Sequence, residues 1–248
     1  MTAIKSVVTR LLALALIVLS ALVLLTAFPG LFFPHSHTIE QLTFKSDHAF
    51  DHNQSQVIGS EILRRLEKSP LGLASNSYVI YIANESWRRK LFWNVIAPPT
   101  AFGFAAYPLT NNHVFLSGAN FDTNRLISPN GIPISEYRTL VYYGAHELAH
   151  VRTGELLGTI DHLRLPAWIM EGLADYCAFE PLAAPEIVYR DIAKLESGPE
   201  LWNAHSYYAK YRLAVQYYLE VKGWSLPQLL ASNSTFDEAW HEVSKAYE

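Results

Sequence analysis

The sequence is poor in cysteine, and it has no run of basic residues. Each shortage removes a class of explanation. Cys177 is the one cysteine among 248 residues, so the chain cannot close a disulfide on itself or build a zinc cage from thiolates. It reads instead as a small buried side chain. Lys and Arg total 19 against 23 Asp and Glu, for a formal net charge of −4. No stretch concentrates the cations, so the charge footprint of a nucleic-acid-binding surface is missing. There is no internal repeat and no low-complexity tract. What the chain does have is apolar matter: half of the residues are hydrophobic and 13% aromatic. That is enough for a sizeable core, and it argues against disorder.

Residues 11–28, LLALALIVLSALVLLTAF, carry no charge and follow Lys5 and Arg10. At about 1.5 Å per residue, the run approaches the hydrocarbon thickness of a bilayer. It is longer than the apolar core of a cleaved signal peptide, and it exits through FPGLFFP without a small-x-small cleavage site. The expectation is a signal-anchor over residues 1–28, a transmembrane helix that stays attached, with a cleaved signal as the alternative. Basic residues on the short N-terminal side place that end in the cytoplasm and the body outside. The protein would then be a single-pass membrane protein, periplasmic in a Gram-negative bacterium. Residues 29–50, with Pro29, Gly30 and Pro34, read as a juxtamembrane linker, and residues 51–248 as the body.

Within the body, HNQSQVIGSEILRRLEKS (52–69) spaces its apolar residues as a helix does and stops before Pro70. SYVIYIAN (77–84) is β-branched and aromatic, as strands are, and a short helix follows from Glu85 to about Ile96. PPTAFGFAAYP and NNHVFLSG predict two more strands joined by LTNN. Ser135 is expected to cap a long helix beginning at Glu136. Beyond it the chain reads as helical over 168–180, 186–196, roughly 205–222 and a last segment after Thr235. The fold class expected is α+β, a small sheet half followed by a helical half with a cleft at their join.

The long helix carries VYYGAHELAHVRTGE (141–155). His146 and His150 are four residues apart, about 40° of rotation and 6 Å of rise, so both imidazoles leave one face and can meet one metal ion. Neutral imidazole suits Zn²⁺. Glu147 lies beside that position, where it can take a proton from water, as the glutamate of H-E-x-x-H does. A catalytic site needs a third protein ligand. The metzincin continuation fails, because its Gly and His positions hold Thr153 and Leu156. PAWIMEGLADYCAF (166–179) supplies another: Glu171, reached after a helix end, the loop GTIDHLRLP and a return. Gly172 and Ala174 allow close approach of the two helices. Asp175, one turn after Glu171, is placed to accept the outer N–H of a ligating histidine. Carboxylates among Trp168, Ile169, Met170, Leu173 and Tyr176 would be costly unless they met a cation.

HELAH followed by W-x-x-E-G-x-A-D-Y resembles the gluzincin metallopeptidases, the thermolysin-like and aminopeptidase-like zincins. The resemblance covers residues from about 100 to 245 and is specific only around 146–150 and 166–176. It implies a zincin-like domain with Zn²⁺ on His146, His150 and Glu171, Glu147 as catalytic base and Asp175 as outer partner. In such enzymes the strand before the motif helix is the edge of a sheet and pairs with the substrate backbone. Here that is HVFLSGAN (113–120), with Ser117, Gly118 and Ala119 as substrate-binding residues and His113 as a surface residue. The family also takes an oxyanion donor from the helical half. HSYYAKY (205–211) offers Tyr208 first and Tyr211 second. The function expected is a membrane-anchored zinc metallopeptidase with a peptide or protein substrate and no nucleic-acid partner. The alternative is a non-catalytic zinc-binding envelope scaffold on the same fold.

Overall fold

The structure is a computed structural model. It describes residues 7, 10–20, 28–96, 101–127, 138–180, 182–197 and 205–248, of which 94–96, 193–197 and 205–207 are described for their backbone only. The architecture is α+β. A five-stranded mixed sheet occupies the N-terminal half, in the order β1-β2-β3-β5-β4, and a two-stranded ribbon β6-β7 stands beside it. The strands are β1 (His35–Ile39), β2 (Leu42–Ser46), β3 (Tyr78–Ala83), β4 (Gly103–Ala105), β5 (His113–Ser117), β6 (Ala119–Asn120) and β7 (Arg125–Leu126). β2, β3 and β5 run parallel, while β1 and β4 close the two edges antiparallel.

β3 explains the sheet's layering. Its sequence YVIYIA shows little polar alternation because both faces are covered. Tyr78, Ile80 and Ile82 enter the main core, whereas Tyr81 and Ala83 enter a second, smaller cluster with Phe33, Phe92, Trp93 and Phe115. Helix α1 (His52–Lys68) covers the first face with Ile58, Ile62 and Leu66, and Asp51 caps it by accepting from the Gln54 amide. Helix α2 (Ser86–Ile96) covers the second.

The helical half is built on α3 (Leu140–Leu157), whose residues from Leu140 to Ala149 are all buried. It packs against α1, against β4 and β5, and against α5. The Thr139 hydroxyl accepts from the Tyr142 amide to start it, and Gly158, at φ 75°, ends it. A short helix α4 (Thr159–Arg164) then leads to α5 (Ala167–Ala178), α6 (Pro185–Ser197), α7 (His205–Gln216), a π-helical turn (Tyr217–Val221), α8 (Leu226–Leu230) and α9 (Phe236–Tyr247).

Several expectations are corrected. Among the described residues no helix is long and apolar enough to cross a membrane. The helical stretch at residues 10–20 spans about 17 Å at about 1.5 Å per residue, against a hydrocarbon core of about 30 Å. Residues 21–27 of the expected span lie outside the described residues. The expected transmembrane helix is overturned, and with it the single-pass placement with a cytoplasmic N-terminus and an outward-facing body, which had no other ground. Residues 29–50, expected as a linker, contain β1 and β2, paired in register from His35 opposite Ser46 to Ile39 opposite Leu42. GTIDHLRLP, expected as a loop, contains α4. The expected cap at Ser135 and helix start at Glu136 fall outside the described residues.

Gly172 on α5 shows how closely the helices approach. A Cβ built there would stand 2.5 Å from the carbonyl oxygen of Tyr211 on α7. A backbone atom cannot turn aside as a flexible side chain can, so Gly172→Ala must push the two helices apart. Urea unfolding of that variant is expected to show a loss of about 3 kcal/mol, in the upper range of overpacking penalties; wild-type stability would mean that α5 and α7 are not held at this spacing.

Candidate metal centre

α3 and α5 bring His146, His150 and Glu171 together. Nε2 of His146 is 3.2 Å from Nε2 of His150, and Oε2 of Glu171 is 3.3 Å from the first and 3.5 Å from the second. Two ligands on a tetrahedral zinc with bonds of about 2.0–2.1 Å are separated by about 3.3 Å. The three donor atoms therefore already form one face of such a tetrahedron. Two imidazole nitrogens and a carboxylate oxygen suit Zn²⁺ chemically. The group could hold a metal ion.

The electrostatics of the protein alone run the same way. Burial would lower the His146 pKa, but Asp175 and Glu171 overcome it and raise it to about 10. Burial would raise that of Glu171, but the two histidines pull it well below the ordinary carboxylate range. Each group is held in its charged form by the others, so the site is organised around charge compensation.

Behind His146 stands Asp175, fully buried. Its Oδ1 lies 3.1 Å from Nδ1 of His146, close enough to pair charges although not on the line of a straight hydrogen bond. The Tyr142 hydroxyl donates to the same Oδ1. Burial, with Asp175 adding to it, pushes the Tyr142 pKa well above its ordinary value, so that proton stays in place. On the other side Arg212 approaches Oδ2 at 3.7 Å, with its guanidinium over the Phe179 ring.

Glu147 is buried and lines the same cavity of about 340 Å³ as the three donors. Burial raises its pKa, while His146 and His150 oppose the shift. Its carboxylate sits beside the edge strand, where a Cβ on Gly103 would come within 3.0 Å of Oε1, and it faces the Ala105 amide.

Other expected site residues are placed differently. Tyr208 lines the cavity, its ring 6.1 Å from that of His146 and under the Arg138 guanidinium at 5.2 Å. Burial, reinforced by Glu171, pushes its pKa up to about 12. Tyr211 stacks edge-on against Phe236 instead and gives its carbonyl to the Gly172 contact. β5 is interior to the sheet, not its edge. Ser117 donates its amide to Phe102, Gly118 accepts from Ile127, and Ala119 donates to Asn84, so these three are occupied within the fold. His113 stands half-buried, edge-on to Tyr81. The edge nearest the donors is β4 (Gly103–Ala105). Sequence reasoning also missed His162 on α4, which lines the cavity. Burial lowers its pKa and nearby His150 adds to the effect, so it is neutral at pH 7. Its one sequence signal, a histidine between His150 and Glu171, was hidden by the expectation of a loop.

No protein-family model matches the chain, and no curated protein matches it either.

Elemental analysis of the purified chain loaded with zinc is expected to find one equivalent, lost in His146→Ala and in Glu171→Gln. Asp175→Asn should weaken zinc affinity by about 10–100-fold while leaving the ion bound at saturation. Undiminished zinc in Glu171→Gln would remove α5 from the centre.

Proposed function

We propose that the protein is a zinc-dependent metallopeptidase of the gluzincin type. The observation that carries this reading is the tetrahedral spacing of His146, His150 and Glu171 in a cavity that also holds a buried carboxylate, Glu147, against a sheet edge. A zinc ion bound to the three donors would polarise the scissile carbonyl and acidify water.

The rest of the chemistry falls to the chain's own side chains. Glu147, a stronger base than an exposed carboxylate because burial disfavours its charge, takes the proton of the attacking water and hands it to the leaving amine. Tyr208, whose hydroxyl keeps its proton through neutral pH, donates to the oxygen that gains charge. Asp175 holds His146 in its ligating orientation, and Tyr142 holds Asp175.

The substrate backbone adds to β4. Ser117 donates to Phe102 and Ala106 donates to His113 across the β4–β5 pair. By antiparallel alternation, the backbone groups of Gly103 and Ala105 then face away from the sheet. An extended peptide can pair with Gly103 and with the Ala105 carbonyl, next to the Glu147 carboxylate that faces the Ala105 amide. A non-catalytic scaffold would have no use for Glu147, whose charge is disfavoured both by burial and by neighbouring Glu171.

Glu147→Gln is expected to keep full zinc and to lose about 10³–10⁴-fold in kcat on a mixed peptide library, with a chelator abolishing the wild-type rate. Tyr208→Phe should lower kcat by about 10²-fold with little change in KM. Library cleavage by zinc-loaded Glu147→Gln at the wild-type rate would refute the assignment of the base.

A further inference from the structure

His162 has no role in the chemistry above, yet its setting is not that of packing filler. The residue is 8% exposed, and its ring lies edge-on to Tyr107 with centroids 4.9 Å apart. Tyr107 is itself placed with its hydroxyl 3.5 Å from Thr159 at the start of the same short helix. Both rings line the cavity that holds the donors and Glu147. Nδ1 of His162 is sealed from solvent and has no hydrogen-bond partner among the described residues. Phenylalanine or leucine would fill the same space without stranding a polar atom.

The stranded nitrogen favours one tautomer. A buried bare lone pair is a milder penalty than a buried unpaired N–H, so the proton of the neutral imidazole sits on Nε2. That nitrogen is then a hydrogen-bond donor without charge. A neutral donor here matches a neutral acceptor, the carbonyl of a peptide bond.

We propose that His162 is a substrate-contacting residue that donates from Nε2 to a backbone carbonyl of the bound peptide. This rests on the peptidase reading and assigns one of its binding contacts.

Two probes test it on the zinc-loaded full chain by calorimetry. Acetohydroxamate reports on the metal alone, and a dipeptide bearing the same hydroxamate adds backbone carbonyls. His162→Phe, which keeps the stack on Tyr107, is expected to bind the dipeptide hydroxamate about tenfold more weakly. Its affinity for acetohydroxamate and its zinc content should be unchanged. His162→Gln, whose amide nitrogen reaches the place of Nε2, should recover most of the loss. Equal losses on both probes would make His162 a support of the metal centre and overturn the proposal. Equal affinities of wild type and His162→Phe for the dipeptide probe would overturn it too, as would failure of both probes to bind. If the differential loss appears but the wild type cleaves no peptide in the library, the peptidase reading fails while the contact stands.

Discussion

Three polar side chains meet inside an apolar helix pair, and the rest of the structure follows from the need to compensate them. α3 is buried along most of its length, so two histidines and a glutamate on it would destabilise the fold if they faced hydrocarbon alone. Glu171 arrives from α5 at 3.3 Å and 3.5 Å from the two imidazoles, and Asp175 backs the first of them. Ion pairing offsets the desolvation in the protein alone. A divalent cation would offset it further, through direct bonds to the two imidazoles and the carboxylate.

That convergence depends on spacing, and the spacing depends on small residues. Gly172 lets α7 come against α5 at a distance that no side chain permits, which brings Tyr208 to the cavity and Arg212, one turn later, to Asp175. Tyr142, one turn before His146, reaches Asp175 across the helix pair. The centre is therefore held from both helices at once, with its supporting contacts made by buried groups. On the sheet side, β4 ends the five-stranded layer beside Glu147. The cavity thus lies between the last described strand of the sheet and the three donors.

Much of this centre was legible from local sequence, because its geometry is helical. The four-residue step between His146 and His150, the small residues around Glu171 and the turn from Glu171 to Asp175 are all properties of single helices. Their mutual distances then needed only two helices to touch. β3 was equally plain, since residues 78–82 are β-branched or aromatic throughout. What sequence could not show was order in space. Whether β5 or β4 forms the edge depends on pairings between distant segments, and the expectation, carried over from the resemblance, took the strand before the motif helix, which is the interior one. β1 and β2 were hidden by prolines and by their position after a long apolar run, although Leu42 and Phe44 alternate into the core. That run reads as a span by its length, its lack of charge and its flanks, yet no described helix reaches the length a membrane requires. His162 escaped because a six-residue helix is too short to announce itself by periodicity.

The most direct test of the account is anomalous diffraction at the zinc edge from crystals grown with the ion. The account predicts a single strong peak within about 2.0–2.2 Å of Nε2 of His146, Nε2 of His150 and a carboxylate oxygen of Glu171. Density at that place without Glu171, or a peak only elsewhere on the chain, would contradict it.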